Sequence, residues 1–111
     1  MGQTLGRGER LHKRDFTHAK WTRSCRSTHF LLFKSKNVQP TRRFGVVVSR
    51  KVARGAVERN RIKRLVREFS RLNKQLFDEY YSYSVRLTRM PPVLRYDGVS
   101  RELRALVTGD S

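Results

Sequence analysis

The chain has 111 residues, of which 26 are Lys or Arg and only 9 are Asp or Glu, giving a formal net charge of +17 at a hydrophobic content of 37%. That hydrophobic share lies below the ~45–50% of an average globular domain but is too high for a disordered polycation, and the length suits one domain with a modest core. The longest apolar runs (residues 30–33 and 46–48) are far too short for a membrane span, the first thirty residues hold no apolar signal stretch, and the lone Cys25 excludes an internal disulfide or a cysteine-based zinc site.

These features together predict a folded, basic domain in a reducing, cytoplasmic setting. Such a charge calls for a polyanion, nucleic acid before an anionic membrane. The sequence divides into a flexible basic N-terminal segment at 1–10, one folded domain at 11–108 and a short end at 109–111. No obligate protein partner is evident.

In chain order, residues 11–21 predict a short basic helix with Asp15 and Phe16 at its centre. Residues 28–36 read as a strand with Phe30 and Leu32 on one face and Leu31 and Phe33 on the other. After a turn signal around Pro40, residues 43–49 form a second strand, with Phe44, Val46 and Val48 opposite Gly45 and Val47. The short connection predicts that the two pair as an antiparallel hairpin.

The most informative segment follows. Ile62, Leu65, Val66, Phe69, Leu72 and Leu76 recur at helical spacing and fall in one stripe. Asn60, Lys63, Arg64, Arg67, Arg71 and Lys74 gather within about 100° on the opposite side. Glu68 stands four residues after Arg64, a candidate exposed pair. Residues 81–89 alternate strictly, with Tyr81, Tyr83, Val85 and Leu87 facing the core, and Met90-Pro91-Pro92 stops the strand. Asp97 or Ser100 is positioned to cap a last helix carrying Val99, Leu103, Leu106 and Val107. The predicted fold is α+β: a single-domain α/β sandwich, ordered α-β-β-α-β-α with room for an extra short strand, in which a long basic amphipathic helix packs on a small mixed sheet.

Residues 50–71 hold nine cations (Arg50, Lys51, Arg54, Arg59, Arg61, Lys63, Arg64, Arg67 and Arg71) against Glu58 and Glu68, a net of +7. A solvated helix face normally mixes signs. Here Lys63 with Arg67 and Arg67 with Arg71 repel at i, i+4, a conflict that an external anion relieves. Arginine predominates, which favours forked contacts to phosphate. No helix-turn-helix or metal-braced recognition helix is visible, so RNA read by shape and phosphate fits better than duplex DNA. His12, His18 and His29 match no ligand spacing, Cys25 has no nucleophile's partners, and the acids form no two-metal set. An autonomous protein nuclease is disfavoured. A structural ribosomal RNA-binding protein is the alternative from another class, although such proteins often carry their charge in long tails.

The stretch FGVVVSRK at 44–51, followed by AVERNRIKRLVRE at 56–68, resembles the protein subunit of bacterial ribonuclease P, with Arg59-Asn60-Arg61 matching that family's signature helix. The resemblance reaches upstream to Arg10-Leu11 and Asp15-Phe16 and downstream through the strand at 81–89. It implies a protein that serves a catalytic RNA, which cuts precursor tRNA with Mg2+ held mainly by the RNA and releases the 5′ leader. The implied RNA-binding residues are Arg50, Lys51, Arg59, Asn60, Arg61, Lys63, Arg64, Arg67 and Arg71, with no catalytic or metal-ligating residue in the protein itself. The implied leader cleft holds Phe16 and Phe33, with Arg89 nearby. The family also makes a left-handed crossover between parallel strands, against the usual preference. Two departures stand out. Lys20 occupies a position where many relatives carry a second cleft aromatic, with Trp21 beside it, and the chain lacks a basic C-terminal tail.

Overall fold

The computed structural model describes residues 21–37 and 43–109. The strands are β1 (Thr22–Arg26), β2 (Phe30–Lys36), β3 (Phe44–Val47) and β4 (Tyr81–Leu87), and the helices are α1 (Ala56–Leu72) and α2 (Tyr96–Thr108), with a 3-10 turn at Lys74–Leu76. The predicted helix at 11–21 lies outside the described residues except for Trp21.

The four strands form one sheet in the order β1-β2-β4-β3. Strand β4 runs antiparallel to β2 from Phe30 opposite Leu87 to Lys36 opposite Tyr81, and parallel to β3 from Phe44 opposite Tyr83 to Val47 opposite Arg86. The expected hairpin between the second and third strands is therefore corrected: β4 lies between them. Two physical reasons favour this arrangement. Strand β4 matches all seven residues of β2, whereas β3 has only four to offer. The long connection through α1 also supplies the crossover that parallel neighbours need. The extra strand, β1, has the polar sequence TRSCR and no alternation to announce it. It is held by its antiparallel pairing with β2 and by the Thr22 hydroxyl donating to the Lys34 carbonyl at 3.0 Å.

One face of the sheet carries the core. Phe30 and Leu32 from β2, Phe44 from β3 and Tyr83, Val85 and Leu87 from β4 are buried against Ile62, Val66 and Phe69 of α1 and Val99, Leu103 and Leu106 of α2. The alternation of β4 and the stripe on α1 predicted their members of this set, whereas the choice of Phe30 and Leu32 over Leu31 and Phe33 is settled by the structure. Phe77 joins it, edge-on to Phe44 at 4.6 Å and to Tyr83 at 4.9 Å between ring centroids. Leu72, read as part of the stripe, is 42% exposed because α1 ends there. Its end is built by Asn73, which is buried: its side-chain amide donates to the Phe69 carbonyl at 2.9 Å, and its oxygen accepts from Arg104 of α2 at 2.9 Å.

Neither Asp97 nor Ser100 caps α2. The N-cap is Arg95, without a side-chain cap bond, and Asp97 falls in the first turn, where its charge complements the helix dipole. Tyr96 packs against the core and draws the first turn upstream of Asp97. Helix α2 is clasped to the β1–β2 turn by Glu102. Its carboxylate accepts from the His29 backbone N–H at 2.8 Å and from the Ser27 hydroxyl, and it meets His29 Nδ1 at 2.8 Å. Burial raises the Glu102 pKa, but the hydrogen bonds from Ser27 and His29 outweigh it and hold the carboxyl below its ordinary value.

Candidate nucleic-acid interface

Two surfaces carry the residues singled out by sequence. The first surrounds the start of α1. The Val52 and Ala53 amides both donate to the Ser49 carbonyl, at 3.3 and 3.0 Å, which closes a turn. Ala53 is buried as its anchor, and Arg50, Lys51 and Arg54 are exposed around it. Gly55 is the N-cap in an extended conformation with no side-chain cap bond, and the first helical bond runs from the Arg59 amide to the Gly55 carbonyl at 3.0 Å. Along α1, Asn60, Arg61, Arg64 and Arg67 are exposed and Lys63 is half-buried, while Ile62, Val66 and Phe69 face the core. The amphipathic division read from the sequence thus appears as a cationic surface backed by an apolar one.

Three details were not legible in the residue pattern. Arg59 directs one terminal guanidinium nitrogen to the Ala53 and Arg54 carbonyls, at 2.9 and 2.7 Å. Arg61 donates to the Leu94 carbonyl, at 3.1 Å, across to the segment that leads into α2. Glu68 pairs with Arg71 rather than with Arg64. The reason for this correction is directional: an acid preceding its cation along a helix is the better-oriented pair, and Arg64 precedes Glu68. Arg71, at the end of the proposed RNA-binding set, is consequently half-buried and already matched by an acid.

The second surface is the sheet face turned away from the helices. Trp21, Phe33, Val47, Ser84 and Arg86 line a groove of about 310 Å³ there. Register explains the assembly. Phe33 lies opposite Ser84, and Ser84 lies opposite Gly45, so two small residues continue the row from the aromatic ring across three strands. Val47 sits opposite Arg86, whose guanidinium lies over the Phe33 ring, 5.6 Å from its centroid. Of the three residues assigned to a cleft, Phe33 lines this groove, Arg89 is exposed beyond the end of β4 and is not part of the lining, and Phe16 lies outside the described residues. Trp21 supplies a second aromatic wall. Val47, Ser84 and Arg86 were missed, although alternation had already placed Ser84 and Arg86 on the face opposite the core. The missing step was the adjacency of β3 and β4.

Among the described residues, no group of three or more His, Cys, Asp or Glu could hold a metal ion, and no helix is long and apolar enough to cross a membrane.

Comparison with known proteins agrees with this architecture. The family model described as Ribonuclease P matches residues 5–109. The ribonuclease P protein component of Syntrophus aciditrophicus (strain SB) is 37% identical over 107 residues, covering 95% of this chain and 89% of that relative. The corresponding protein of Geotalea uraniireducens (strain Rf4) is 39% identical over 99 residues, covering 86% and 84%. Among solved structures, the ribonuclease P protein of Thermotoga maritima superposes with a TM-score of 0.70 at 28% identity, over 90% of this chain and 96% of that one. The Staphylococcus aureus ribonuclease P protein, at 20% identity, shares the fold with a TM-score of 0.73 over 93% and 95% of the two chains. With its mixed sheet, its basic crossover helix and a family match across nearly its whole length, the chain belongs to the ribonuclease P protein family.

Proposed function

We propose that this chain is the protein subunit of a cytoplasmic ribonuclease P that binds the catalytic RNA and the 5′ leader of precursor tRNA, so that the leader is removed and the mature 5′ end is formed. The RNA subunit carries the chemistry. The observation that supports this best is the exposure of Arg50, Lys51, Arg54, Arg64 and Arg67 around one helix whose opposite face is buried. Fixed on a rigid element, these cations neutralise phosphates at little ordering cost, and the start of a helix adds its own positive potential.

The groove supplies the second half of the mechanism. A single-stranded leader offers unstacked bases, and Phe33 and Trp21 offer ring faces on which a base can stack, while Arg86 adds positive charge at the rim. Protein bound to both RNAs converts leader recognition into an intramolecular contact. Magnesium belongs to the RNA in this proposal, since cationic side chains cannot ligate it and no acid cluster gathers among the described residues. The chain assists metal binding only by favouring RNA conformations that hold it.

Reconstitution tests the reading. A bacterial ribonuclease P RNA cleaving precursor tRNA at low magnesium is expected to be stimulated by this chain. No stimulation at any protein concentration overturns the proposal, as does co-purification with ribosomal RNA alone.

A further inference from the structure

We propose that Arg59 and Arg61, the two arginines bracketing Asn60, are positioning residues that splint two cationic loops against the start of α1, rather than direct phosphate contacts. This inference rests on the RNA-binding reading above and assigns a different role to two members of its residue set.

Helical geometry supplies the first argument. Lys63, Arg64, Arg67 and Arg71 share one side of α1 with Asn60. Arg59 and Arg61 are each displaced from Asn60 by about 100°, in opposite senses, so they flank the cationic stripe instead of belonging to it. Each leans towards a neighbouring segment. Arg59 donates to two consecutive carbonyls, those of Ala53 and Arg54, at 2.9 and 2.7 Å, through a single terminal nitrogen. That nitrogen carries two hydrogens, so both are committed to the loop. The segment it fixes bears the exposed Arg50, Lys51 and Arg54. Arg61 donates to the Leu94 carbonyl at 3.1 Å, fixing a segment bordered by the exposed Arg89 and Arg95.

Chemistry supplies the second argument. A cation in the first turns of a helix opposes the dipole, and backbone carbonyls are the partners that compensate it. A planar guanidinium can serve two carbonyls in fixed directions, whereas an ammonium on a flexible stem is a point charge. Lysine at either position therefore keeps the net charge and loses the splint. The loop cations would then have to be ordered at the moment RNA binds, at a cost to affinity.

The test is a double-mutant cycle read by affinity for a bacterial ribonuclease P RNA at low salt, with circular dichroism and thermal melting as folding controls. Arg59→Lys in the otherwise wild-type chain is expected to weaken binding on the order of tenfold, the scale of hydrogen bonds to a charged group. In a chain already carrying Arg50→Ala, Lys51→Ala and Arg54→Ala, the same change is expected to cost less than about twofold, because nothing remains for the splint to position. Arg61→Lys is expected to behave likewise with Arg89→Ala and Arg95→Ala. If Arg59→Lys melts far below the wild type, Arg59→Gln enters the same cycle. Equal losses in both backgrounds overturn the proposal and leave the functional reading intact. A wild-type chain that does not bind the RNA at all overturns both.

Discussion

Truncating Phe33 to alanine isolates the groove from the cationic helix. The groove, at about 310 Å³, is at the small end of ligand pockets, which suits one planar base rather than a run of them. One base stacked on an aromatic ring is worth ~1–3 kcal/mol, so Phe33→Ala should weaken binding of precursor tRNA to the holoenzyme by about 5- to 150-fold. Mature tRNA has no leader and should bind with unchanged affinity. Phe33 is only half-buried and lies on the sheet face away from the core, so thermal stability should change little. The discriminating quantity is the ratio of the two dissociation constants, measured by fluorescence titration with leaders of one to ten nucleotides. Stacking is not a phosphate contact, so the dependence of log affinity on log salt should keep its slope. Equal weakening for precursor and mature tRNA, or a flattened salt slope, would refute the reasoning.

Other predictions concern the helix and the scaffold. Arg64→Ala and Arg67→Ala should each lower the slope of log affinity against log salt by roughly 0.7–0.9 while leaving the circular dichroism spectrum intact, and an unchanged slope would remove that residue from the interface. Glu102→Gln should destabilise the domain at neutral pH, since two donors that now meet a carboxylate lose a charge-assisted partner, each bond being worth about 1.5–3 kcal/mol. Because the Glu102 carboxyl is held below its ordinary value, its contribution is full above the usual carboxylate range and fades as pH falls through the lowered value. Melting curves of the two proteins should therefore converge in acid, and a constant gap from pH 7 down to pH 2.5 would contradict the clasp. Asn73→Ala removes the side-chain donor to the buried Phe69 carbonyl, which keeps the backbone N–H of residue 73, and also removes the partner of Arg104; the two lost bonds together should cost about 1–3 kcal/mol in urea unfolding.

Much of this molecule could be read before its coordinates. Ile62, Val66 and Phe69 announced the buried stripe of α1, and the alternation of Tyr83, Val85 and Leu87 announced a core strand, because burial imposes the period of the backbone on the apolar pattern. What stayed hidden was relational. Strand β1 is polar and exists through its partner, so no local pattern marks it. The short connection between β2 and β3 favoured a hairpin, and only the seven-residue match between β2 and β4 decides otherwise. The groove followed the same logic: Phe33 was visible, but Ser84 and Arg86 join it only once β4 lies beside both β2 and β3. The side-chain bonds of Arg59 and Arg61 were hidden for another reason. A long cationic side chain reaches carbonyls several residues away, and no spacing rule distinguishes that from reaching a ligand.

The position of β4 also bears on how the chain is made. The strand that joins β2 to β3 is the last of the four to leave a ribosome. Until residue 81 has emerged, β2 can pair only with β1, and β3 has no neighbour in the native sheet. Both then present unsatisfied backbone and the apolar side chains of Phe30, Leu32 and Phe44 to their surroundings, the condition that invites association between nascent chains. Native pairing on this plan joins residues far apart in sequence, so folding is expected to wait for synthesis of the last strand and then proceed at the pace of long-range closure.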